Sequence, residues 1–76
     1  MYPPSTADSC QHNGHLVQVR ARSVGDAWIY TTDIQMPDGT WLPPVTDHDH
    51  TYETAESALA EGMAVGKKIA ENATGG

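Results

Sequence analysis

Residues 15–36 read HLVQVRARSVGDAWIYTTDIQM, and the fold turns on this stretch. From 15 to 24 the chain alternates. Val17, Val19 and Ala21 fall on one side, and Gln18, Arg20 and Arg22 on the other. A period of two over this length is the pattern of a half-buried β-strand. Gly25 and Asp26 then supply a tight turn. Residues 27–36 alternate again, setting Trp28, Tyr30, Thr32, Ile34 and Met36 against Ile29, Thr31, Asp33 and Gln35. β-Branched and aromatic residues fill this second run, as strands favour. The stretch predicts an antiparallel hairpin with one face toward a core.

Working outward, Pro37-Asp38-Gly39 is a turn signal, because Pro fixes φ, Asp bonds back to its neighbours and Gly accepts positive φ. Residues 40–50, TWLPPVTDHDH, return as a third strand. Pro43 and Pro44 cannot donate ladder hydrogen bonds, so this strand is expected to be interrupted and to lie at an edge. Thr54 is an N-cap candidate, with Glu56 in the first turn where the helix dipole favours a carboxylate. Ala55, Ala58, Leu59, Gly62, Met63, Gly66, Ile69, Ala70 and Ala73 then form a stripe at helical spacing. Gly inside a helix costs about 1 kcal/mol relative to Ala. Gly62 and Gly66 therefore predict a close approach of the helix to large side chains, with Trp28 and Tyr30 as the natural partners.

The expected architecture is α+β. A three-stranded antiparallel meander is followed by one C-terminal helix packed on one face (β-β-β-α). Residues 1–14, MYPPSTADSCQHNG, lack periodicity and are expected to be a flexible, dispensable tail that carries Cys10 as an inert thiol. Residues 15–73 form the single domain and 74–76 a frayed end.

The 76 residues allow one domain, and a chain of this size buries only about 60% of its unfolded surface. Phe is absent, so Trp, Tyr and Met supply most of the large apolar surface. A thin core of this kind makes self-association an expectation. The sheet is its expected route, through Leu16 and Ile29 on the open face or through the 15–24 strand as the freer edge. Ten acidic residues against four basic ones give a net charge of −6 with His neutral. Nucleic-acid binding normally requires clustered Lys and Arg, and here there are only Arg20, Arg22, Lys67 and Lys68, so nucleic acid and anionic membranes are disfavoured. The N-terminus has neither the basic nor the apolar region of a secretory signal, and no apolar run approaches the roughly 18 residues of a membrane span. A cytoplasmic location is the expectation.

The order of motifs, WIYTTDIQMPDG (28–39) followed by TYETAESALAEGMAVGKKIA (51–70), resembles small uncharacterised bacterial proteins in which a hairpin with a PDG turn leads into a Y-x-T-A-E-x-A helix start. The resemblance spans about residues 15–72 and implies a fold rather than an activity. The β-β-β-α segment is also similar to double-stranded-RNA-binding domains and to the N-terminal domain of HicB-type antitoxins. The RNA-binding family has a preceding helix and a Lys-rich start to its last helix. Here the corresponding start is Glu53-Thr54-Ala55-Glu56, whose carboxylates repel phosphate. The antitoxin family adds a DNA-binding segment with no counterpart in these residues.

The strongest chemical motif is Asp47-His48-Asp49-His50. On an extended chain His48 and His50 share a face and could bind Zn²⁺, which takes three or four N, S or O ligands. A third ligand would have to come from His12, His15 or Glu53. There is no HExxH, no Cys pair, no glycine-rich phosphate loop, and no Ser or Cys beside a base. Neither a cofactor nor catalysis is expected. The reading is a non-catalytic protein-protein interaction or regulatory module, self-associating as a homodimer, with Leu16, Arg20, Arg22, Ile29 and Trp41 as partner-binding residues. The alternatives are a double-stranded-RNA-type binding module using Arg20, Arg22, Lys67 and Lys68, and a metal-dependent enzyme at His48 and His50.

Overall fold

The computed structural model describes residues 6–47 and 49–74, leaving aside the side chains of 73 and 74. The elements run β1 (Ala7–His12), β2 (His15–Val24), β3 (Ala27–Gln35), β4 (Val45–Thr46) and α1 (Ala55–Thr74). They form one antiparallel sheet in the order β1-β2-β3-β4, with α1 across one face.

The central hairpin is as the alternation requires. Val17, Val19 and Ala21 of β2 pack with Tyr30 and Ile34 of β3 in the core, while Gln18, Arg20 and Arg22 are exposed. Val24 faces Ala27 across Gly25-Asp26. Gly25 has φ +62° and Asp26 does not share the positive sign, the pattern of a type II′ turn.

The expected tail is corrected over Ala7–His12. This segment is a strand paired with β2 from Ala7↔Arg20 to His12↔His15. Asn13 (φ +52°) and Gly14 (φ +79°) close the hairpin as a type I′ turn, whose twist matches that of the flanking strands. Cys10 is not a loose thiol, since its Sγ lies 3.2 Å from Met63 Sδ on α1. The 15–24 strand is consequently interior to the sheet from His15 to Ala21 rather than its freer edge. Residues 1–5 lie outside the described residues, as do 75 and 76.

The expected 40–50 strand is reduced to two short pieces. After the Asp38-Gly39 turn, Gln35 faces Trp41, and Leu42 N–H donates to Ile34 O (2.8 Å). Unbroken pairing from there would set Thr32 opposite Pro44, but Thr32 faces Val45. One extra residue is therefore accommodated at Pro43-Pro44, where the missing N–H groups interrupt the ladder.

α1 starts as the sequence predicts. Thr54 Oγ1 accepts from Ser57 N–H (3.1 Å), and Glu56 lies in the first turn. Lys67 and Lys68 stop short of the last turn, which has no basic residue. The face toward the sheet is Ala55, Ala58, Gly62, Gly66 and Ala70, all buried. A Cβ built on Gly62 would stand 2.5 Å from Val19 Cγ1 and 2.9 Å from Tyr30 Cδ1, and one on Gly66 would collide with Val17 Cγ1. In that gap Thr32 Oγ1, fully buried, donates to Gly62 O (2.9 Å). The expected Tyr30 contact is present, and Val17, Val19 and Thr32 complete it.

Gly62→Ala tests this contact. On a solvent-facing helix position the change would gain about 1 kcal/mol. Against Val19 and Tyr30 it should instead lower stability by about 1–3 kcal/mol in urea unfolding. An unchanged or raised midpoint would mean that the helix stands off the sheet. A chain beginning at His15 loses β1, and its thermal midpoint should fall by at least about 5 °C.

Candidate functional site

Because α1 covers one face only, the other face of the sheet is where this small fold displays side chains. Arg20 projects there from β2 and pairs with Asp33 of β3 at 2.9 Å. Gln18 and Arg22 flank Arg20 and are exposed. Thr31 and Thr46 share a hydroxyl hydrogen bond across β3 and β4 (3.0 Å).

Trp41 reaches the same face through the β3 turn. Met36 N–H donates to Thr40 O (2.7 Å), Gly39 N–H to Met36 O (2.9 Å), and Thr40 N–H to Asp38 Oδ1 (2.9 Å). That last bond holds the Asp38 carboxyl below its ordinary value. The turn fixes Trp41 opposite Gln35, so its indole falls on the helix-free side. It is 47% exposed, an unusual state for the largest side chain in so small a fold. Gln18, Arg20, Asp33, Trp41, Leu42 and Pro44 line a shallow groove of about 390 Å³.

Of the partner residues read from the sequence, Arg20, Arg22 and Trp41 are exposed and Leu16 is half-buried. Ile29 differs. It lies on the helix-free face, opposite Arg22, yet only 5% of it is exposed. A partner cannot use it in this state. Gln18, Asp33 and Pro44 join the surface, and alternation placed the first two on this face without marking them as groove walls.

Among the described residues the histidines do not converge. His50 Nδ1 meets Asp47 Oδ2 (2.7 Å) at the connector before α1. His12 Nε2 meets Glu71 Oε1 (2.9 Å) near the other end of the helix. His15 is fully buried, and its Nδ1–H donates to Asn13 O (3.0 Å). Its Nε2 is sealed from solvent and has no hydrogen-bond partner among the described residues. His48 lies outside the described residues. Among the described residues no three His, Cys, Asp or Glu side chains gather as a metal would require.

The connector is ordered by Asp47. Its Oδ1 accepts from Asp49 N–H (2.9 Å) and its Oδ2 faces His50, and both contacts lower its carboxyl from the ordinary value of 3.8. Tyr30, buried, and Tyr52, half-buried, move the other way. Burial, then Tyr52, Asp47 and Glu61, raises Tyr30, and burial, then Glu61 and Asp47, raises Tyr52.

The cations are also divided. Arg20 and Arg22 lie on the open face, while Lys67 and Lys68 lie exposed on the helix that covers the opposite face. No helix among the described residues is long and apolar enough to cross a membrane. No family model, curated protein or solved structure matches this chain.

The Asp47 contacts give a pH prediction. A lowered folded-state value contributes stability that is present above the ordinary value of 3.8 and is lost as pH falls through the lowered one. Asp47→Asn should flatten the acid limb of the thermal midpoint below that value and leave the slope near pH 7 unchanged. An unaltered acid limb would show that Asp47 does not order the connector.

Proposed function

We propose that this chain is a non-catalytic protein-interaction module whose contact surface is the helix-free face of the sheet, with Trp41 as anchor. One observation carries the reading: a turn-fixed, half-exposed Trp41 beside the Arg20–Asp33 pair, on the face of the sheet opposite α1. Trp and Arg are the residues that most often dominate binding interfaces, because each combines a large contact area with a polar handle.

The face also has a sign. Both arginines of an otherwise acidic chain are on it, and Asp33 offsets one of them. This favours a partner segment with an acidic residue next to an apolar side chain, the acid for Arg22 and the apolar group for Trp41. The same charge disfavours face-to-face pairing of two copies, which would oppose arginine with arginine. Nucleic acid is less well served, since Lys67 and Lys68 cannot join Arg20 and Arg22 on one surface.

Selection of a random peptide library on the parent chain, followed by binding to Trp41→Ala and Arg22→Glu, tests this. Enriched peptides should carry acidic and apolar residues together. They should lose at least about tenfold in affinity for Trp41→Ala, or about 1.4 kcal/mol, while the variant keeps the parent's thermal midpoint. Peptides that bind both variants as well as the parent would place the contact elsewhere.

A further inference from the structure

The sheet has two unequal edges. The β4 edge is two residues long and sits beside Pro43 and Pro44. The β1 edge is six residues long and carries no Pro, no Lys and no bulge; its one blunting device is Asp8, whose carboxylate has to give up the Ser9 amide before another strand can pair there. Its hydrogen-bond phase follows from the turn. In a two-residue hairpin the flanking pair, His12↔His15, exchanges both backbone bonds, and Ala21 N–H to Thr6 O (2.7 Å) continues the phase. Even-numbered residues of β1 thus bond to β2, while the amides of Ser9 and Gln11 point out of the sheet. The Ser9 amide confirms this, being capped by Asp8 Oδ1 (2.8 Å) rather than by a strand.

We infer that a second copy of this chain pairs with this edge, β1 antiparallel to β1, about a two-fold axis at Cys10. The charges select the register. With Cys10 opposite the partner's Cys10, Asp8 stands opposite the partner's His12, and Ser9 and the partner's Gln11 exchange backbone bonds. Moving the axis to Ser9 sets Asp8 against a thiol, and moving it to Asp8 sets carboxylate against carboxylate. His12 suits the first arrangement. Its Nε2 meets Glu71 Oε1 (2.9 Å), and Nδ1 is the ring nitrogen left to meet the partner's Asp8. The pairing forms a continuous eight-stranded sheet, uses the edge rather than the Trp41 face, and stands independently of what Trp41 binds.

Cys10 reports the register. Directly opposed residues in a non-hydrogen-bonded antiparallel pair have Cα atoms roughly 4.5 Å apart, inside the roughly 4.4–6.8 Å that a disulfide spans. The test is sedimentation of the full, reduced chain over a concentration series, with diamide treatment of the same samples. Diamide takes up the two thiol hydrogens as the S–S bond forms. The expected result is a species of twice the chain mass that diamide converts to a reductant-sensitive covalent dimer. Gln11→Pro and, separately, Ser9→Pro remove an outward N–H that β2 does not use. At concentrations where the parent is monomeric, each should keep the parent's fold and a thermal midpoint close to the parent's, Ser9→Pro losing only the Asp8 cap. At higher concentration each loses the dimer and most of the cross-linking. A parent that stays monomeric throughout overturns the proposal. So does a dimer that survives both proline variants, or one that diamide leaves uncross-linked.

Discussion

The close approach of α1 to the β2–β3 hairpin is the contact on which the rest depends. Two glycines on the buried side of a 20-residue helix let Val17, Val19, Tyr30 and Thr32 rise into the space where side chains would otherwise stand. The helix gives up intrinsic propensity at both positions. In return, β-branched and aromatic side chains meet a backbone directly, and Thr32 finds the Gly62 carbonyl. A buried hydroxyl without that acceptor would be destabilising, so the hydrogen bond and the packing require the same separation.

The other features follow from that separation. A chain without Phe makes a core of small and β-branched residues, and a thin core needs a thin gap. One helix at short range covers β2 and β3 and reaches β1 through Met63 and Glu71 at its margin. The opposite face is left to Arg20, Arg22, Asp33 and Trp41. Nothing in the packing of α1 calls for an exposed indole there. That is why Trp41, rather than the Asp47–His50 connector, carries the functional reading.

The central hairpin, the N-cap at Thr54 and the phase of the helix were legible in the sequence, because each is a local pattern with one physical cause. Gly62 was legible because two glycines in a helix need a compensating contact. β1 was missed although its strongest signal was present. Asn13-Gly14 is the favoured type I′ pair, but it follows ADSCQH, a polar strand whose partly covered residues meet only the margin of α1. An edge strand with so little buried surface has almost no hydrophobic period to read. In the third strand the break at Pro43-Pro44 and the edge position were legible from the missing N–H groups; only the paired length within 40–50 is shorter than expected, Trp41 forming a lone bridge and Val45–Thr46 a two-residue strand. Of the surface, alternation placed Arg20, Arg22 and Leu16 on the helix-free side. Alternation also puts His15 on the core side with Val17 and Val19, whereas the burial of Ile29 on the opposite face runs against the strand period.

The most direct test of the glycine contact is a double-mutant cycle between the helix and the sheet at Gly66 and Val17. If a methyl group at 66 collides with Val17 Cγ1, then Gly66→Ala destabilises the parent, and it does so far less in a Val17→Ala background, where the obstructing methyls are gone. The two changes should be non-additive by about 1 kcal/mol or more, with the double variant more stable than the sum of the singles predicts. Strict additivity in urea unfolding would contradict the account, because it would mean that Gly66 and Val17 do not share the same space.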